Sequence, residues 1–214
     1  MHTKTSATDR AYRHTKDAIL DRRYAGGDLI SEGDIAAGVG VSRTPVREAL
    51  LRLEAEGLVR LYPKRGALVV PVSQDEIDDV IETRRLVEGH TAQKAAAAEA
   101  GERGALAVRL NELLDRMRTE VDGDRQAFVL ADRGFHREIV TAGGNAILVG
   151  LYDSLRDRQL RMMEEGVRTV ARMCRNIDEH AAILAAVEAG DAPSAGRAVQ
   201  VHLDGAAQLL GART

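Results

Sequence analysis

Ser42-Arg43-Thr44-Pro45-Val46-Arg47-Glu48-Ala49-Leu50 is the stretch on which the fold of this chain turns. Pro45 stands in a first helical turn, where its missing N–H costs nothing, and Val46, Leu50 and Leu53 recur at the spacing of a buried helical stripe. A helix is therefore predicted from Arg43 to near Gly57. Upstream, Ser31 precedes Glu32 and Asp34, an N-cap followed by acidic first-turn residues, which predicts a short helix to about Gly38. Further upstream, Ala11, Thr15, Ala18 and Ile19 share one side of a predicted helix over Thr8 to Leu20, and Gly26-Gly27 closes it. Downstream, Leu58 to Tyr62 and Ala67 to Val72 are rich in branched residues and flank Pro63-Lys64-Arg65-Gly66, which predicts a β-hairpin with a basic tip.

Three helices closed by a hairpin make the winged helix-turn-helix plan, in which the third helix enters the major groove. Arg43, Thr44 and Arg47 fall on the first turns of that helix and are the candidate base contacts, Arg being shaped to bond guanine bidentately. Lys64 and Arg65, with Gly66 for a sharp turn, would place two cations at the wing tip for phosphate or minor-groove contact. Any one exposed Arg is ordinarily a solvated charge. The order of elements, with cations at both contact points, favours double-stranded DNA as the partner.

Length and charge agree with a divided chain. The 214 residues allow two domains, and the 3% aromatic content without Trp leaves Leu, Val, Ile and Ala to build the cores, which favours helices. Through Val72 there are 12 Lys/Arg against 9 Asp/Glu, and after it 18 against 24, so the basic end is the one suited to a polyanion. Ser73 with Glu76 has capping-box spacing and opens an almost wholly helical remainder. The expected domains are 8–72, the winged helix-turn-helix, and 73–214, an antiparallel all-α bundle. Breaks expected at Gly101 to Gly104, Asp122 to Asp124, Gly143 to Asn145, around Gly166, and Gly190-Asp191 leave about six helices in that bundle. No apolar run approaches the roughly 20 residues of a membrane span, and residues Met1 to Arg10 carry no hydrophobic signal, so a cytoplasmic protein without a membrane partner is expected. The single Cys174 is expected to be a buried, unreactive thiol.

The second half places ionisable groups on apolar helix faces. Phe128, Asp132, Phe135, His136 and Ile139 recur at three- and four-residue steps. His180 lines up with Ile183, Leu184 and Val187, and His202 with Val199, Ala206 and Leu209. A lone His on such a face is ordinarily a hydrogen-bonded core residue. Four ionisable groups on three helices are costly to bury independently, and one divalent ion, zinc or nickel by ligand chemistry, would satisfy Asp132, His136, His180 and His202 together. Arg84 shares a stripe with Ile77, Val80, Val87 and Thr91, where it would meet either a core carboxylate such as Glu88 or the carboxylate of a ligand. His2, His14 and His90 have no such setting.

Leu29 to Val70 resembles the DNA-binding domain of the GntR regulators. The likeness is carried by Ser42 to Leu50, Arg52-Leu53-Glu54-Ala55-Glu56-Gly57-Leu58-Val59 and Lys64-Arg65-Gly66-Ala67-Leu68-Val69. Where that family commonly has Arg after the Ser-Glu of its second helix, this chain has Gly33. The remainder resembles the FCD ligand-binding domain of the FadR-type branch, on Arg84 to Glu88, Asp132-Arg-Gly-Phe135-His136 with Gly144-Asn145, Glu179-His180-Ala-Ala-Ile183, Gly190-Asp191 and His202. The resemblance implies a metal held by one Asp and three His, matching Asp132, His136, His180 and His202, with a small organic acid that completes the coordination and meets Arg84.

The resulting expectation is a homodimeric repressor, not an enzyme, released from a palindromic operator by a small carboxylate effector bound beside the metal. Two other readings stay open at this point: a metal sensor in which the ion itself is the signal, and a metal-dependent hydrolase.

Overall fold

The computed structural model describes residues 5–166 and 169–211. The chain divides into two compact units, Met1–Val72 and Ser73–Thr214. His2 and the C-terminal side of the break expected at Gly166 lie outside the described residues.

In the first unit the order is α1 (Ala7–Leu20), β1 (Leu29–Ile30), α2 (Glu32–Val39), α3 (Arg43–Ala55), β2 (Val59–Tyr62) and β3 (Gly66–Val69). Ser6 and Ser31 cap α1 and α2, their hydroxyls accepting from the N–H groups of Asp9 and Asp34. Gly40 ends α2 in the left-handed region at φ 69°, which turns the chain sharply into α3. Val46, Leu50 and Leu53 are buried as their spacing requires, and join Ala11, Ile19, Ile30, Ile35 and Val69 in one core. The hydroxyl of Tyr12 on α1 donates to Glu56 at 2.7 Å, and the Arg52 guanidinium stacks over its ring, fastening α1 to the end of α3.

The wing is a three-stranded antiparallel sheet, β1-β3-β2, rather than a bare hairpin. Leu29 pairs with Leu68 and Ile30 with Ala67, so the chain entering α2 is stitched to the wing. Two residues give too little alternation to register in the sequence. Gly66, at φ 107°, is forced by this pairing: a Cβ there would collide with the carbonyl oxygen of Ile30.

The second unit comprises α4 (Gln74–Ala96), α5 (Ala100–Glu120), α6 (Arg125–Ala142), α7 (Ala146–Ser154), α8 (Arg156–Gly166), α9 (Val170–Ala189) and α10 (Ala192–Leu210). Among the described residues that is one helix beyond the expected six, because Leu155 interrupts the span between Asn145 and Gly166. Asp124, Asn145 and Asp191 each cap the following helix with a carboxylate or amide oxygen, and Pro193 follows in the first turn of α10, where it is tolerated. Ser73 caps α4 by accepting from the Glu76 N–H, but the Glu76 carboxylate turns away to Arg161 at 2.8 Å.

One expected break moves. Gly101 and Gly104 lie inside α5, and the interruption falls at residues 97–99, where Arg103 donates to the Ala98 carbonyl at 2.6 Å. Each glycine costs a helix about 1 kcal/mol, which the buried stripe of Leu106, Leu110, Leu114 and Met117 outweighs. Cys174 is exposed, contrary to expectation, because α9 turns Arg172, Met173, Asn176 and Ile177 inward and leaves position 174 on the opposite side. α4, α9 and α10 pack on one another, and α6 packs against α4 and α5, so the inward faces of α4, α6, α9 and α10 meet.

Candidate functional site

Arg43, Thr44 and Arg47 stand exposed on the opening turns of α3. Arg47 is held: its Nε lies 2.8 Å from both carboxylate oxygens of Glu32, at the start of α2, while two thirds of its side chain stays in solvent. Arg43 lies over Gly33, with a guanidinium nitrogen 3.7 Å from where a Cβ would sit. At the wing tip, Lys64 and Arg65 are exposed, and Lys64 takes the left-handed conformation at φ 63°. The cations singled out from sequence thus all face solvent on the helix-turn-helix and its wing.

In the second unit, α6, α9 and α10 bring His136, His180 and His202 together, with one ligand atom from each lying within 4.8 Å of the others. All three are buried, at 0%, 0% and 3% exposure. What surrounds them fixes their ring orientation. Nδ1 of His180 lies 2.6 Å from the backbone oxygen of Asn176, and Nδ1 of His202 lies 2.8 Å from Oε2 of Glu179. Nδ1 of His136 lies 2.8 Å from Oε2 of Glu88, close in distance though poorly aligned for a hydrogen bond. At His180 and His202 the facing oxygen accepts, which places the proton on Nδ1 and leaves Nε2 as the ligand atom. Nε2 of His136 and Nε2 of His180 are 3.1 Å apart, within hydrogen-bond distance of one another.

Asp132 borders the cluster without joining it closely. Its Oδ1 lies 3.4 Å from His180 Nε2 and accepts from Asn176 Nδ2 at 2.7 Å. Arg84 meets the core carboxylate that the sequence offered: its Nε donates to Glu88 Oε1 at 2.6 Å.

Electrostatics follow from this wiring. Burial, reinforced by His202 and His136, holds His180 well below the usual histidine range. Burial also lowers His202, against the opposing pull of Glu179. Burial alone would raise the Glu88 carboxyl, but Arg84 and His136 override it and keep Glu88 ionised. Glu179 is likewise pushed up by burial yet held low by His202 and Arg172. Carboxylates behind His136 and His202 and a backbone carbonyl behind His180 are the outer partners that metal-binding histidines use, so the donor set fits a divalent cation.

Beside the cluster lies a cavity of about 50 Å³, reached by Arg84, Asp132 and His202. Sequence reasoning missed Arg172, Asn176, Glu179 and Gln159 in this region. A signal existed for two of them, since Arg172, Asn176 and His180 follow at four-residue steps on α9. Glu179 is off that stripe and reaches His202 across the helix interface, and nothing local marks Gln159.

A winged helix-turn-helix joined to a helical domain with a buried polar centre defines a DNA-binding transcription regulator. Comparison with known proteins agrees. Residues 7–69 match the bacterial regulatory proteins of the gntR family, and residues 79–205 match the FCD domain. The chain belongs to the GntR family, in the branch that carries an FCD domain, and its kin are regulators rather than enzymes. It is 30% identical over 199 residues to an HTH-type transcriptional regulator in an unstable DNA locus of Streptomyces ambofaciens, covering 90% of this chain and 80% of that one. It is 29% identical over 139 residues to the gluconate operon transcriptional repressor of Bacillus licheniformis, covering 64% of this chain and 56% of that one. Among solved structures, a GntR transcriptional regulator from Rhodococcus sp. RHA1 superposes with a TM-score of 0.78 at 27% identity, over 98% of this chain and all of that one. Among the described residues no helix is long and apolar enough to cross a membrane.

Proposed function

We propose that this regulator is a cytoplasmic, homodimeric repressor whose residues 8–72 bind a palindromic operator and whose residues 73–214 carry a divalent metal and a small carboxylate effector. Operator contact is assigned to Arg43, Thr44 and Arg47 for bases and to Lys64, Arg65 and Gly66 at the wing. A protein two-fold axis calls for matching half-sites. His136, His180 and His202 would hold zinc or nickel through Nε2, with Asp132 as the adjoining carboxylate. Bound there, the ion would act as a Lewis acid that fixes a carboxylate oxygen.

The carrying observation is that three buried histidines from α6, α9 and α10 offer ligand atoms within 4.8 Å of one another, with Nδ1 of His180 and of His202 turned to acceptors so that their Nε2 atoms are left for a cation. Arg84 supports the effector reading by lining the cavity beside that point, although its Nε is committed to Glu88. Repressor action is supported by the name of the Bacillus licheniformis relative.

Elemental analysis of the purified protein, followed by operator-binding titrations with and without zinc and with zinc plus a panel of carboxylates, tests the proposal. Release of operator only when zinc and an acid are both present is expected. Release by zinc alone would make the ion the signal, and a protein that retains no stoichiometric metal would remove the sensing centre.

A further inference from the structure

Two arginines of α3 meet two neighbouring residues of α2. Arg43 and Arg47 are one helical turn apart and share a face, and both reach the first turn of α2, where Glu32 and Gly33 follow the Ser31 cap. Arg47 is located by charge, its Nε 2.8 Å from both Glu32 oxygens. Arg43 is located differently. Among the described residues no carboxylate pairs with it, and its guanidinium lies over the bare backbone of Gly33, 3.7 Å from where a Cβ would stand.

The backbone of Gly33 does not itself call for glycine. It is helical, unlike Gly27, Gly40, Gly57 and Gly66 of the same unit, which take positive φ. A Cβ would meet Ser31 Oγ at 3.6 Å and Arg43 at 3.7 Å, both ordinary contact distances, so alanine fits. Glycine nonetheless weakens a helix relative to alanine. What alanine leaves undisturbed, a longer side chain does not: each further carbon reaches about 1.5 Å farther and enters the space of the guanidinium.

We infer that Gly33 is a specificity-determining position of the DNA-reading head: by carrying no side chain it leaves a seat on α2 for the Arg43 guanidinium, and that seat fixes which base pair Arg43 reads. This rests on the base-contact reading of Arg43 above. A long side chain that already rests on a surface loses less rotamer freedom when it reaches its target. The planar guanidinium is thereby presented to the O6 and N7 acceptors of guanine. Gly33 is a positioning residue and touches no base. Filling its position leaves the charge of Arg43 in place and moves its aim.

Selection of bound duplexes from a randomised DNA library by the full chain, read by sequencing, tests this. Wild type and Gly33→Ala are expected to select the same half-site. Gly33→Leu is expected to lose preference at the base pair that Arg43→Ala also loses, and to keep the one lost by Arg47→Ala. Anisotropy on the selected duplex and on its variant at that pair should show discrimination falling about tenfold in Gly33→Leu, with affinity for scrambled DNA unchanged. Adding Gly33→Leu to Arg43→Ala should cost nothing further, which a merely structural role would not give. Gly33→Met, of similar bulk and good helix propensity, repeats the test where Gly33→Leu melts below wild type. A wild-type motif in both bulky variants would overturn the role of Gly33 and leave Arg43 standing as a base contact. Equal loss on every duplex for Gly33→Ala would overturn it too, by giving the space to the DNA backbone. Arg43→Ala without effect on the motif, or no motif selected by wild type, would overturn this inference and the base-contact reading together.

Discussion

Arg84 and Glu88, one helical turn apart on α4, form an ion pair at 2.6 Å whose side chains are only 7% and 1% exposed. The same carboxylate approaches His136 with its other oxygen. A charge buried this deeply is tolerated only while its partner remains. Glu88→Gln is therefore expected to destabilise the metal-free protein by about 3 to 5 kcal/mol, read from denaturant unfolding. It should also lower zinc affinity by about 10- to 100-fold, because His136 loses the group that orients it. Unchanged stability would mean that the Arg84 charge finds relief elsewhere.

The histidines set a pH window. His180 and His202 are held below the ordinary histidine value, so on unfolding they gain affinity for protons. Stability is then fully present above the unfolded value of about 6.5 and falls as the pH drops below it, since the unfolded chain binds more protons there. Glu88 and Glu179, whose carboxyls are held low, contribute losses only at more acid pH. Melting temperatures of the chelator-treated protein should stay level from about pH 8 to 7 and decline below about pH 6.5. A level profile down to about pH 5 would contradict the burial of neutral imidazoles.

Arg47 and Lys64 should part company on DNA. Arg47→Ala is expected to cost about 1 to 3 kcal/mol on operator and to relax sequence preference, while Lys64→Ala weakens operator and scrambled DNA alike and lowers the salt dependence. Glu32→Gln should resemble a mild Arg47 defect, because the carboxylate that aims Arg47 is gone. Fluorescence anisotropy at two salt concentrations reads all three. Equal losses on both DNAs for Arg47→Ala would demote Arg47 to a phosphate contact.

Gly66→Ala combines a steric collision with Ile30 and an unfavourable φ. It should destabilise the winged unit by about 1 to 3 kcal/mol or more and impair DNA binding, with zinc uptake by the second unit unaffected. Wild-type operator affinity in this variant would show that the sheet adjusts without strain.

Local signals carried most of the fold. Pro45, the Ser31 and Ser73 caps and the spacing of Val46, Leu50 and Leu53 are read within a single turn or helix, and the structure places them as read. Expectations failed where a distant partner decides. β1 exists only because β3 pairs with it, the break near Gly101 is shifted by burial of the α5 stripe, and Cys174 faces outward because its neighbours on α9 have better claims on the interior. The histidine cluster was legible because each member interrupts an apolar face. Glu179 was not, since its role is created by His202 on another helix.

The two-residue strand Leu29–Ile30 makes the wing a structural wall as well as a finger. Ala67 and Val69 of β3 are buried with Ile30 and Ile35, so the strand that displays the basic tip is also a face of the core on which α3 rests. Cutting away the hairpin would not yield a smaller DNA reader; it would unroof the helices, and the reading head stands or falls as one piece.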